Sequence, residues 1–251
     1  MLTYKKIAVI GTSHIAKQSV KTAKEAFDIF SPDIVAVELD NARLHASHSN
    51  KKEHIDLRNI FRVGIFGFLF AVVGSWAQKK LGNVVGIKPG SEMLTAVKIA
   101  KKKSIPVALI DQDIMITLRR LSKAITFKEK IRIPYDIIRS ILFRKSELKR
   151  LGLEKFDLEK VPEKKLIRVL IKELKDKYPN IYNILVKERN EFMAKRLTHI
   201  MVDNPEKNII AFVGAGHEEE IVRLIRSYEK KFKANNLSFS YSYSLNKTPA
   251  T

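Results

Sequence analysis

Two histidines, each closing a Gly-x-x-His motif behind an apolar run, are the residues of this sequence best suited to chemistry. The first copy reads Ile7-Ala-Val-Ile-Gly-Thr-Ser-His14, and the second reads Ile210-Ala-Phe-Val-Gly-Ala-Gly-His217. Each apolar run bounded by glycine predicts a strand that is buried on both faces. Ligands of open parallel sheets bind at the carboxyl edge of the strands. We therefore expect both histidines at a binding edge, although a histidine in such a turn can also simply cap a helix.

Acidic residues follow two further apolar runs. Ile34-Val-Ala-Val37 precedes Glu38, with Arg43 shortly after it, and Pro106-Val-Ala-Leu-Ile110 precedes Asp111. Because parallel strands end at the same edge of a sheet, we expect Glu38 and Asp111 to lie beside the two histidines. The sequence thus predicts one edge that carries two imidazoles, two carboxylates and a guanidinium.

These side chains support two kinds of hydrolytic chemistry. His14, His217 and Glu38 offer two imidazole nitrogens and a carboxylate oxygen, which suit a divalent metal that keeps open positions for water and substrate. Such a metal lowers the pKa of its bound water and makes hydroxide available near neutral pH. Without a metal, the two histidines would act as general acid and base, with Glu38 orienting one imidazole. Arg43 is expected to stabilise the oxyanion that develops in hydrolysis.

The elements that must position these residues predict an α/β fold. Apolar residues at helical spacing between the first two strands indicate a strand–helix–strand unit with parallel strands. The chain then reads as almost wholly helical from about 114 to 203, before a last core strand at Lys207–Val213. Leu237–Leu245 alternates serine with larger apolar residues, which predicts a closing strand. We expect one domain over 1–251, with a mostly parallel central sheet, flanking helices and a large helical insertion between the third and last core strands.

Composition narrows the classes of function. The sequence has no cysteine, which excludes disulfides, thiolate zinc sites and cysteine nucleophiles, and agrees with an intracellular setting. Met1-Leu-Thr-Tyr-Lys-Lys runs directly into the first strand, so we expect no signal peptide and a cytoplasmic location. The net charge of +20 suggests an anionic partner, but it is equally compatible with the charged surface of a heat-adapted protein.

Two segments are candidates for contacts with partners. Val63–Ala77 is strongly apolar, but its length falls short of the roughly 20 residues that span a bilayer. It predicts a buried or interface-forming helix, including one that joins copies into a homo-oligomer, with a peripheral contact to the inner face of a membrane as the alternative. Lys123–Arg150 holds nine basic and three acidic residues and is the best candidate for a contact with an anionic surface such as a membrane, although a solvated helical face explains it as easily. The sequence has no zinc-finger or arginine-rich motif, so nucleic acid is not an expected partner.

Six short stretches of the sequence occur together in a characteristic order. They are Gly-Thr-Ser-His14, Val-Glu-Leu-Asp-Asn-Ala-Arg43, Pro-Gly-Ser-Glu-Met93, Leu-Ile-Asp-Gln-Asp-Ile114, Glu-Arg-Asn-Glu-Phe-Met-Ala194 and Val-Gly-Ala-Gly-His217. In this order they resemble the TraB/PrgY pheromone-shutdown family, and the resemblance covers most of residues 5 to 230. That family is related to the Tiki metalloproteases and, more distantly, to the erythromycin esterases and the ChaN-like haem-binding proteins.

The resemblance implies a hydrolytic centre built from the two Gly-x-x-His motifs, a glutamate and an arginine. By position these residues are His14, Glu38, Arg43 and His217, and the resemblance adds Glu188 and Arg189 as a supporting pair. In the Tiki branch the implied cofactor is a manganese- or cobalt-type divalent ion, and zinc is an alternative. Bacterial members are linked to the inactivation of a peptide pheromone, which implies a peptide substrate.

Three hypotheses follow from the residues and the resemblance together. The first is a metal-dependent hydrolase of the TraB/Tiki type, and the second is a non-catalytic protein that binds a metal or haem-like ligand at the same edge. The third is a basic adaptor at a membrane surface. Many family members continue into C-terminal transmembrane helices, whereas this sequence stops at Thr251. We therefore expect any membrane contact to involve Val63–Ala77 rather than an integral span.

Overall fold

The central element is a mostly parallel sheet, seen in a computed structural model that describes residues 1–12, 17–48, 62–72, 91–143, 146, 149–150 and 163–235. Its strand order is β1-β2-β5-β3-β4, with β5 in the middle. Only the first pair, β1 with β2, is antiparallel among these strands. The strands are β1 (Leu2–Tyr4), β2 (Ile7–Thr12), β3 (Ile34–Val37), β4 (Val107–Leu109) and β5 (Ile209–Gly214).

Helices cover both faces of this sheet and form a further layer beside it. In chain order, and within the described ranges, they are α1 (Lys17–Phe30), α2 (Asn41–His48), α3 (Ser91–Lys102), α4 (Ile114–Ala124), α5 (Phe127–Leu142), α6 (Glu163–Lys177), α7 (Pro179–Tyr182), a π-helical turn (Asn183–Lys187), α8 (Glu188–Asp203) and α9 (Glu218–Asn235).

Successive side chains of each strand point to opposite faces of the sheet, so the apolar core is divided into two clusters, one on each face. Ile7 and Val9 of β2 pack in one apolar cluster with residues of α8 and α9, whereas Ala8 and Ile10 pack in another with residues of α1 and α3. The four parallel strands are fully or almost fully buried because helices cover both faces, as their continuous apolar runs predict. The predicted α/β fold class is confirmed.

The two strands that carry the Gly-x-x-His motifs are direct neighbours. β2 and β5 pair in parallel, with Gly11 opposite Val213 and Thr12 opposite Gly214. Within the described ranges, all the regular secondary structure between β4 and β5 is helical, in agreement with the predicted insertion at about 114 to 203. The closing strand predicted at Leu237–Leu245 lies outside the described residues.

The apolar segment predicted at Val63–Ala77 is described as far as residue 72, and residues 65–72 are helical. Its glycines allow close packing on α4, because a Cβ at Gly67 would lie only 2.4 Å from the carbonyl oxygen of Leu118. Its other side exposes Ile65 and Leu69. Within the part of the chain that the structure describes, no helix combines the length and apolar content needed to cross a membrane.

Candidate active site

His217 lies three residues after β5, in the turn that leads into α9. Its backbone N–H donates to the carbonyl oxygen of Gly214 at 2.8 Å, which fixes the turn. Its side chain is largely buried, and Nδ1 lies 2.5 Å from Oδ1 of Asn190 on α8. With this amide oxygen as the acceptor, Nδ1 carries a proton, and in the neutral imidazole Nε2 then keeps its lone pair. Nε2 lies 3.6 Å from Oε1 of Glu38.

Glu38 directly follows β3, and its buried carboxylate joins the ends of two neighbouring strands. Oε2 accepts a hydrogen bond from the backbone N–H of Gly214 at 2.6 Å, and Oε1 accepts one from Nη2 of Arg189. The glycine of the second Gly-x-x-His motif therefore serves Glu38 as well as ending the strand. Because each carboxylate oxygen has two lone-pair sites, Oε1 can bind Arg189 and still face His217.

Arg189 binds the carboxylates of Glu38 and Asp111. Its Nε and Nη2 atoms donate to the two oxygens of Asp111 at 3.0 and 2.7 Å, and Nη2 also donates to Glu38. Burial alone would lower the pKa of Arg189, but the charges of Glu38 and Asp111 raise that pKa above its ordinary value. Arg189 is therefore a permanent cation that ties the ends of β3 and β4 to α8.

A local irregularity of the helix immediately precedes this arginine. The π-helical turn Asn183–Lys187 ends one residue before Glu188, and the carbonyl oxygen of Leu185 within it accepts a hydrogen bond from Nη1 of Arg189 at 3.3 Å. Such turns are frequent at functional sites, where the wider turn changes the direction in which the following side chains point. The turn thus helps to aim Arg189 at the edge of the sheet.

Arg43 is the cation of the site that reaches solvent. Its Nη1 donates to Oδ2 of Asp111 at 3.0 Å, and its Nε lies 3.4 Å from Oδ2 of Asp40. Oδ1 of Asp40 accepts the backbone N–H of Arg43 at 2.8 Å, so Asp40 caps α2 and fixes the start of the helix that carries the arginine. The Arg43 side chain is 34% exposed, compared with 14% for Arg189. A substrate could therefore contact Arg43 directly.

Glu188 faces α4 and the π-helical turn. Its Oε1 accepts hydrogen bonds from Arg120 of α4 at 3.0 Å and from Asn183 at 3.3 Å. This carboxylate therefore anchors α4 to the start of α8. The supporting pair implied by the resemblance thus divides into one residue in the charged network, Arg189, and one that joins two helices of the insertion, Glu188.

His14 lies outside the described residues. The chain reaches it from Thr12, the last residue of β2, which is paired with Gly214 at the end of β5. The Thr12 hydroxyl donates to the carbonyl oxygen of Val213 at 3.2 Å and contacts Oε1 of the buried Glu92 at 3.3 Å. The strand end that leads to the first histidine is therefore tied to the strand end that leads to the second.

Asn190 and Asp40 belong to the site, although the sequence patterns do not single them out. Asn190 is buried and adjoins Arg189, but its role depends on the direction in which α8 turns it toward His217. Asp40 had a stronger signal, because it precedes Arg43 by three residues, which is the spacing of a helix N-cap.

The donors that the structure describes fit part of a metal site. Among the described residues, no group of three His, Asp or Glu side chains is arranged to hold a metal ion. Nε2 of His217 and Oε1 of Glu38, 3.6 Å apart, are nevertheless at a separation that two ligands of one ion can have with bonds of about 2.0–2.2 Å. The third predicted ligand, His14, lies outside the described ranges.

Comparisons with known proteins agree with the family resemblance. The sequence model described as the TraB/PrgY/gumN family matches residues 3–231. The chain is 40% identical over 225 residues to Uncharacterized protein MJ1365 of Methanocaldococcus jannaschii, a match that covers 89% of this chain and 54% of that protein. It is 22% identical over 238 residues to the human TraB domain-containing protein, covering 84% of this chain and 60% of the human one. The chain thus spans little more than half the length of these relatives.

Proposed function

This chain belongs to the TraB/PrgY/gumN family, and on that premise we propose that it is a metal-dependent hydrolase that cleaves a peptide or amide bond. The observation that carries the proposal is the pairing of His217 with Glu38 at the carboxyl edge of the sheet. Nε2 of the imidazole faces Oε1 of the carboxylate at 3.6 Å, while Nδ1 is held by Asn190. The proposed ligands are Glu38, His217 and His14.

Several residues of the chain would prepare this site for catalysis. Asn190 would hold the tautomer of His217 in which Nε2 is free to bind, as outer partners of ligating histidines do. Arg189 and the N–H of Gly214 restrain the two oxygens of Glu38, so the carboxylate would not have to be ordered during the reaction. A manganese-, cobalt- or zinc-type ion, when bound, would supply hydroxide near neutral pH.

Arg43 is the residue we assign to the substrate. Its guanidinium is partly exposed and is held at one end by Asp40 and Asp111, so it presents a fixed positive charge at the solvent side of the edge. Such a charge would stabilise the oxyanion that forms on a carbonyl carbon under attack. The choice of a peptide as the substrate rests on the resemblance to proteins that inactivate a peptide pheromone.

The experiment that tests the proposal is the metal content of the protein purified without chelator. His14→Ala and His217→Ala should each lose a near-stoichiometric ion that the unchanged chain retains. His199→Ala is the matched control, because His199 lies on α8, the helix that carries Asn190, but packs its ring against Phe232. Its position about 13 Å along the helix from Asn190 separates it from the site.

Two results would contradict the proposal. One is the absence of metal from the unchanged chain after incubation with manganese, cobalt or zinc. The other is loss of metal in His199→Ala to the same extent as in His217→Ala, since that would indicate adventitious binding. If metal is bound at the site, a screen of unrelated peptides with the loaded protein then tests for cleavage.

A second candidate function is ligand binding without catalysis at the same edge. The observation that favours it is that Asp111 already forms ion pairs with both Arg43 and Arg189. A closed charge network of this kind can be purely structural. Tight binding of metal or another ligand, with no cleavage of any peptide tested, would favour this candidate over the hydrolase.

A further inference from the structure

Helix α5 carries an exposed apolar stripe. Large apolar side chains recur along it at steps of four, four, three and four residues, and all of them are exposed. At 3.6 residues per turn these positions fall within an arc of about 80°. A stripe of this width normally faces a core or a partner. The residues of this α5 stripe are Phe127, Ile131, Tyr135, Ile138 and Leu142.

Both acidic residues of α5 lie on the opposite, packed side. Glu129 is buried, forms a capping box with Thr126 and accepts the backbone N–H of Asn180 at 3.2 Å. Asp136 accepts a hydrogen bond from the hydroxyl of Tyr178 at 2.7 Å. These contacts fix the rotation of α5 about its axis, and they leave its apolar side facing away from α7 and the end of α6.

Basic residues line one flank of the α5 stripe. Lys128, Arg132 and Arg139 recur at steps of four and seven residues, which places them on one side of the helix next to the apolar positions. The helical stretch 65–72 lies beside α5, because the Lys130 ammonium sits 4.5 Å from the ring centre of Phe66. That stretch exposes further apolar side chains, those of Ile65 and Leu69.

We propose that the α5 stripe lies flat on an anionic lipid surface. An amphipathic helix with apolar residues on one side and lysine or arginine beside them is the arrangement that binds in the plane of a membrane interface. The five apolar side chains would enter the boundary between headgroups and acyl chains. Lys128 and Arg139 would meet anionic headgroups, their aliphatic stems following the apolar surface. This proposal is independent of the hydrolytic function.

The positive charge of the protein favours anionic lipid, rather than a second copy of the chain, as the partner of the α5 stripe. The protein carries a net charge of +20, and four of the six charged residues of α5 are basic. Two copies that met through this stripe would carry like net charges, which repel, whereas an anionic surface complements the positive charge of the chain. Each lysine or arginine near such a surface contributes about 1 kcal/mol, which corresponds to about a fivefold gain in partitioning.

Co-flotation of the full chain with phosphatidylcholine vesicles, with and without phosphatidylserine, tests this proposal. We expect binding only when phosphatidylserine is present, and weaker binding as salt is added. Ile131→Ser with Ile138→Ser should reduce partitioning at least about tenfold, because two apolar side chains lose their burial in the interface. Lys128→Glu with Arg139→Glu should reduce it at least about 25-fold.

Matched controls separate this surface from general basicity. Ile116→Ser with Leu170→Ser removes two apolar side chains that are similarly exposed on α4 and α6, and Lys172→Glu reverses an exposed charge on α6. These variants should bind as the unchanged chain does. Equal losses in the control and α5 variants would overturn the proposal, as would the absence of binding to phosphatidylserine vesicles. A dimer in solution that Ile131→Ser with Ile138→Ser dissociates, without vesicle binding, would assign the stripe to a second copy instead.

Discussion

Replacement of Arg189 by methionine should destabilise this protein more than any exposed arginine substitution. The side chain donates to both oxygens of Asp111, to Glu38 and to the carbonyl oxygen of Leu185, and it is 14% exposed. Methionine preserves much of the apolar stem but leaves two buried carboxylates without this cation. Removal of one partner from a buried ion pair costs about 3–5 kcal/mol. We expect a loss of that size in the free energy of unfolding.

Urea unfolding followed by far-ultraviolet circular dichroism measures the effect. A loss of about 4 kcal/mol would lower the unfolding midpoint by about 1–2 M. The matched control is Arg120→Met, because Arg120 also pairs with one glutamate but its side chain is 55% exposed. Such a pair contributes at most about 1 kcal/mol. Arg189→Lys should fall between the two, since lysine keeps the charge but cannot reproduce the bidentate contact.

If Arg189→Met and Arg120→Met lowered the free energy of unfolding equally, the buried charge network would not be the feature that holds the strand ends together. A sharper test combines Arg189→Met with Glu38→Gln and Asp111→Asn. Neutral amides do not require a buried cation, so the triple variant should recover part of the lost stability. No recovery would mean that the arginine stabilises the fold through packing rather than through charge.

Three further predictions concern a hydrogen bond, a close contact and a titration. Asn190→Leu should release His217 from its fixed tautomer, visible as a change in proton–nitrogen spectra of the imidazole, whereas Asn190→Asp keeps an acceptor and should preserve it. Gly67→Ala should lower the free energy of unfolding by about 1–3 kcal/mol in urea titrations, because its Cβ would meet a backbone carbonyl oxygen of α4 at 2.4 Å. The hydrogen bond from Arg150 lowers the pKa of Glu173 from 4.5 to about 2, so this stabilisation is present above pH 4.5 and is lost as pH falls toward 2. Glu173→Gln should therefore be about 1–2 kcal/mol less stable at pH 7, and unfolding measured down the pH range should show the difference shrinking.

The parallel strands could be predicted because each is an apolar run with a polar residue at its carboxyl end. The predicted run Ile34–Val37 coincides with β3, and the other three predicted core strands differ from the structure by one or two residues at either end. β1 could not be predicted in this way. Leu2–Tyr4 is short and mostly exposed, and it forms a strand only because β2 offers a free edge. That edge is a tertiary feature with no periodic signal in three residues.

The strand order could not be predicted from the sequence because it depends on pairings between distant parts of the chain. The last core strand enters the middle of the sheet, between β2 and β3, and this position brings His217 to Glu38. The sequence predicted that both lie at one edge but not that they are neighbours. Asn190 was missed for a related reason, since the partner of a helical side chain depends on how α8 packs.

The glycine of each Gly-x-x-His motif can be explained by a buried carboxylate that lies close to the end of its strand. The N–H of Gly214 donates to Oε2 of Glu38 at 2.6 Å, and a Cβ at Gly11 would lie 2.7 Å from Oε2 of the buried Glu218. Neighbouring parallel strands thus each have a glycine against a glutamate at the last or the penultimate residue. At Gly11 a larger residue would displace Glu218 from its place, so glycine is required there for space. At Gly214 the backbone N–H itself is the hydrogen-bond donor, and it holds the carboxylate in position beside His217.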